Sequence, residues 1–62
     1  MDWLSAALSL LDKFTPSRRE DAVNAIHQLE EYHGKALAEN RMVLAAQIRK
    51  KIKQIKEAYE DI

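Results

Sequence analysis

The chain has 62 residues, ten basic and ten acidic side chains, and no cysteine. A chain this short makes one domain at most and buries only about 60% of its unfolded surface, so any core is small. The missing cysteines exclude disulfides and thiolate metal sites, and no apolar run approaches the roughly 20 residues that cross a bilayer.

One glycine and one proline, set among many Ala, Leu, Glu, Lys and Gln residues, predict an all-α protein. The first element is residues 1–14, "MDWLSAALSLLDKF". Asp2, Ser5, Ser9 and Asp12 recur at spacings of three and four and fall on one narrow strip of a helix. Trp3, Leu4, Ala7, Leu8, Leu10, Leu11 and Phe14 cover the rest, an apolar arc wider than the stripe of an ordinary surface helix. Something must cover that arc. Three placements are open: folded back on the rest of the chain, packed against other subunits, or laid in a membrane interface. The helix carries two acids and one lysine, whereas interfacial helices are usually basic. Trp3, Leu4, Leu8, Leu11 and Phe14 are the candidate interaction surface, for assembly or for a membrane.

The stretch "FTPSRRE" breaks the first helix near Phe14. Thr15 with Pro16 reads as an N-cap followed by proline at the first helical position, and Ser17 with Glu20 reads as a capping box. The second helix is expected over about residues 16–39. Ala22, Ile26, Leu29, His33 and Ala36 step by four, three, four and three, with Val23, Ala25, Tyr32 and Leu37 widening the stripe. Gly34 lies inside it, where it marks either a kink or a close helix approach. Asn40 can end this helix in the left-handed conformation or cap the next one.

The third helix is expected over about residues 42–62. Ala45, Ile48, Ile52, Ile55, Tyr59 and Ile62 form an unbroken 3.5-residue repeat, the pattern of a coiled-coil seam. Residues 15–62 therefore read as an antiparallel helical hairpin with coiled-coil-like packing. Its expected core is Ile26, Leu29, Leu37, Ala45, Ile48, Ile52, Ile55 and Tyr59.

Charge is unevenly placed along this hairpin. Glu20 to Asn40 holds five acids and one lysine, and Arg41 to Lys56 holds six bases and no acid. Turning the chain near Arg41 sets Glu31 opposite Lys51 and Glu30 near Lys53. Such pairs select orientation more than they stabilise, at about 0–1 kcal/mol each. The basic run "RKKIKQIK" at 49–56 is therefore read first as a solvated helix face. Arg49, Lys50 and Lys53 are the candidate polyanion contacts, but zero net charge and the lack of interleaved aromatics disfavour nucleic acid.

No chemistry-bearing constellation is visible. His27 and His33 are six residues apart, which is not the i, i+4 spacing of a helical metal site, and no glycine-rich phosphate loop or nucleophile–base pair is present. No catalytic residue, metal or cofactor is expected, and His33 reads as a core or boundary histidine.

Two resemblances add to this reading. Residues 36–56, "ALAENRMVLAAQIRKKIKQIK", resemble the UVR motif, a short helical hairpin of the bacterial excision-repair nuclease. Glu39, Asn40, Ala45, Ala46, Ile48, Arg49, Ile52 and Ile55 carry the likeness, while Met42, Val43 and Lys50 depart from it. It implies a self-associating hairpin. Asp12, Lys13, Phe14, Pro16, Ser17, Arg18, Ala45, Ala46, Ile48, Arg49 and Lys50 give the layout DKFxPSR … AAxIRKxxKxI, which resembles small helical proteins of tailed bacteriophages and prophages. That likeness implies a viral origin and supplies no activity.

The expectation is a non-enzymatic, self-associating scaffold or adaptor, encoded by a phage. The alternatives are a lysis-type accessory protein peripheral to the membrane and anchored by residues 1–14, or a small inhibitor of a host protein or nucleic-acid-binding protein. The expected partner is a second copy of the chain, with another protein or a membrane surface as further possibilities. No basic region precedes the first apolar stretch, so no secretory signal is expected. The expected location is the host cytoplasm or the virion, or the periphery of the inner membrane.

Overall fold

The computed structural model describes residues 2–12 and 15–60. Phe14 and Ile62 lie outside the described residues. Among the described residues three helices follow one another: α1 Trp3–Asp12, α2 Arg19–Ala38 and α3 Met42–Ala58. The fold is all-α, with α2 and α3 forming a hairpin and α1 lying against both. A helix rises about 1.5 Å per residue, so the 20 residues of α2 account for the 31 Å long axis of the molecule.

Each helix boundary has a local cause. The Asp2 carboxylate accepts the Leu4 backbone N–H at 3.3 Å and caps the start of α1. α2 ends where Asn40 takes the left-handed conformation, φ 59°. The Arg41 N–H then reaches the Ala36 carbonyl at 2.8 Å and the Asn40 N–H the Leu37 carbonyl at 3.1 Å. Those two bonds are the Schellman pattern, which satisfies carbonyls that the helix end would leave bare. Of the two roles open to Asn40, the helix stop is the one adopted.

The start of α2 differs from expectation. Neither the Thr15–Pro16 cap nor the Ser17–Glu20 box forms. Arg18 is the N-cap residue, in extended conformation, and its side chain makes no capping bond. The reason lies across the molecule. The Tyr59 hydroxyl donates to the Pro16 carbonyl at 3.0 Å, which holds the linker against the end of α3. Helical geometry begins only after that anchor. α3 likewise ends at Ala58 rather than running to 62, with Tyr59 turned out of the helix as its C-cap.

The α2–α3 seam is the core. Ala22, Ala25, Ile26, Leu29 and Ala36 of α2 pack with Ala45, Ile48 and Ile55 of α3, all at most 3% exposed. Ile52 and Tyr59 are half-buried against this cluster rather than inside it. Leu37 is corrected outright, since it is 44% exposed. One residue is a 100° step round a helix, and fully buried Ala36 already holds the seam position beside it. Alanine serves there because a small side chain lets the two helices meet near their turn.

Gly34 is neither a kink nor a close approach. α2 runs through it unbroken, it is exposed, and nothing lies within 4 Å of where a Cβ would stand. Glycine in a helix interior costs about 1 kcal/mol relative to alanine. Gly34→Ala should therefore raise the thermal midpoint by about 4–8 °C, the usual yield of 1 kcal/mol in a domain of this size. A fall in the midpoint by circular dichroism would show that the open space is filled in solution.

Candidate interaction surfaces

α1 docks on the hairpin through its apolar arc. Ala7 is fully buried, and Trp3, Leu10 and Leu11 pack against the core. The Trp3 ring stacks on Tyr32 with centroids 6.0 Å apart and planes 22° from parallel. Trp3 and Leu11 therefore face inward, apart from any assembly surface. Of the five residues proposed for such a surface, Leu4 is half-buried, Leu8 is 46% exposed, and Phe14 is outside the described residues. The arc was too wide for one neighbour, so the hairpin covers one side and leaves the other open.

That open side continues onto α3. Leu4 and Leu8, one turn apart on α1, border a shallow depression of about 460 Å³ whose other wall is Met42, Val43 and Leu44. Met42 is 61% and Val43 75% exposed. The floor is completed by Asn40, Gln47 and Arg41, and Arg41 is the one charged side chain there. Its charge is matched by Glu39, whose Oε1 lies 2.8 Å from the Arg41 Nε. The patch is apolar and locally neutral. Sequence reasoning missed Met42 and Val43, although a signal exists: Val43 sits two residues, about 200°, from seam residue Ala45, and an exposed valine there has no core to serve.

Glu39 also ties the patch together. Its Oε2 accepts the Trp3 indole N–H at 3.3 Å while its Oε1 accepts from Arg41, so one carboxylate joins α1 to the hairpin turn. The Arg41 hydrogen bond holds the Glu39 carboxyl below its ordinary value, slight desolvation opposes this, and the Trp3 bond and the charges of Arg41 and Lys35 add to the lowering. Exposed pairs of this kind contribute little energy. Packing of Ala7, Leu10 and Leu11 holds α1 down, and Glu39 sets where its Trp3 end rests.

On another side, α2 and α3 flank an open groove of about 820 Å³. Its floor includes half-buried Ile52 and His33, and its rim carries Arg49, Lys50, Lys53 and Lys56, all exposed. Glu30 and Glu57 also line it. The interhelix charge pairs expected from the sequence do not close. Glu30 stands across this groove from Lys53, and Lys51 sits on a different depression with Pro16 and Tyr59. Among the described residues, no ion pair joins Glu31 to Lys51 or Glu30 to Lys53; Arg18–Asp21 at 3.7 Å and Arg41–Glu39 are local pairs.

Among the described residues, no group of three or more His, Asp or Glu is placed to hold a metal ion, and no helix is long and apolar enough to cross a membrane. No protein-family model matches the chain, and comparisons with curated proteins and with solved structures also return no match.

The Glu39 contacts give a pH prediction. A carboxylate with a lowered folded value stabilises its contacts above its ordinary value of 4.5 and loses them as pH falls through the lowered one. Emission from Trp3, the single tryptophan, should be flat from neutral pH to about 4.5 and shift below it. Glu39→Gln should abolish that acid shift while helix content by circular dichroism stays the same. An identical shift in the variant would remove Glu39 from this role.

Proposed function

We propose that this chain is a non-enzymatic, self-associating helical scaffold or adaptor, of phage origin by its sequence layout. The observation that carries the reading is the neutral apolar patch of Leu4, Leu8, Met42 and Val43, with Val43 three-quarters exposed. A two-fold contact sets a surface against its own copy. A charged patch would repel itself, and this one has its single cation neutralised within the chain.

Magnitudes set the strength of that contact. Fully burying one such side chain contributes about 1.5–3 kcal/mol. Leu8, Met42 and Val43 are 46%, 61% and 75% exposed and so have roughly half of that left to contribute. Weighted by those exposures and taken over two chains, this comes to about 5–11 kcal/mol, against an association cost of about 4–15 kcal/mol. The most favourable balance, about 7 kcal/mol, corresponds to a dissociation constant of about 10 µM, so the dimer is weak.

A peripheral membrane role for residues 1–14 would need Trp3 at headgroup depth. Trp3 is instead engaged by Tyr32 and Glu39, so binding lipid through it would first require undocking α1.

Sedimentation equilibrium from about 10 µM to about 1 mM tests the reading. The mass should rise from 7.2 kDa toward twice that value with concentration. Val43→Lys should keep the mass at one chain throughout, with helix content unchanged. A concentration-independent monomer of the unaltered protein sinks the proposal, and co-flotation with vesicles in place of a rising mass would favour the membrane role.

A further inference from the structure

The α2–α3 groove is a second surface, separate from the neutral patch. Four cations line it, Arg49, Lys50, Lys53 and Lys56, and none of them makes an ion pair with the two carboxylates that share the groove. Arg49, Lys53 and Lys56 follow i, i+4, i+7 spacing along α3, which sets three charges in a row over two helical turns, about 10 Å. Beneath the row lie Ile52 and His33, each half-buried.

We infer that this groove is the docking site for an acidic amphipathic helix of a partner protein. Carboxylates at matching i, i+4, i+7 positions on that helix would meet Arg49, Lys53 and Lys56, and an aliphatic anchor between them would cover Ile52. Charge complementarity selects this occupant. A nucleic-acid backbone would meet the same two glutamates, Glu30 and Glu57, and would leave the apolar floor at Ile52 unused. A second copy of this chain would present α2, whose Glu30 already faces this groove from its own side. An acidic helix with an apolar stripe uses both the cations and the floor, the helix-in-groove mode of recognition.

The test uses the full chain and a fluorescein-labelled synthetic helix of about 18 residues, long enough to be partly helical alone, with a leucine stripe flanked by glutamates. Binding should be in the range of about 10–100 µM at low salt and weaken several-fold as salt rises to about 0.3 M, where exposed charges are largely screened. The double variant K53E/K56E should lose at least about tenfold in affinity, and a lysine-flanked version of the same peptide should restore binding to it. That rescue also shows that the variant is folded. Val43→Lys should leave peptide binding unchanged, so failure of the groove and failure of the self-association reading are told apart. No binding at about 1 mM peptide, equal binding to K53E/K56E, or tighter binding of oligothymidylate or of phosphatidylglycerol vesicles than of the peptide would each overturn the inference.

Discussion

Two helices of very different charge are held together by a strip of small and aliphatic side chains, and every other feature of the molecule is hung on that contact. Among the described residues, five of the nine buried side chains are alanines. Each hides little area, so the large aliphatics Ile26, Leu29, Ile48 and Ile55 contribute most of the apolar burial, at about 1.5–3 kcal/mol apiece when fully covered. The alanines act differently: they let the helices come close, which brings the aliphatics into mutual contact. Local ion pairs at the surface cannot substitute for this, since an exposed pair contributes about 0–1 kcal/mol.

A seam of this kind has no capacity to spare. α1 supplies extra cover through Ala7, Leu10, Leu11 and the Trp3–Tyr32 stack. Its apolar arc exceeds what the hairpin can accept, because a helix meets a two-helix surface along one side only. The excess, Leu4 and Leu8, joins Met42 and Val43 at the turn end of the hairpin. A device that completes the core of a small domain thus also creates its exposed apolar patch.

The α3 stripe was legible because Ala45, Ile48 and Ile55 repeat with the period of the helix and have no competitor on that face. The α2 stripe was legible through Ala36, which the four-three spacing placed on it and which is fully buried. Adding its neighbour Leu37 to the core was wrong, since near the turn the available gap is alanine-sized. The second helix start was misplaced for a different reason. Thr15, Pro16 and Ser17 carry sound local capping signals, but the Pro16 carbonyl is held by Tyr59, 43 positions away, and no local pattern encodes that. The Glu30–Lys53 pair failed because facing positions in a register are not the same as reach. Side chains on either side of a groove stay apart when the floor between them is already occupied by Ile52 and His33.

The bond from Tyr59 to the Pro16 carbonyl has a bearing on how the hairpin comes apart. Asn40 and its backbone bonds fasten one end, and a hairpin secured there alone would unzip gradually from its free tips. Here the far end is fastened too, by a residue at the tail of one long helix gripping the lead-in to the other. The pair resembles a clasp closed at both extremities: parting the two rods from the far side must first break this bond, worth about 0.5–1.5 kcal/mol.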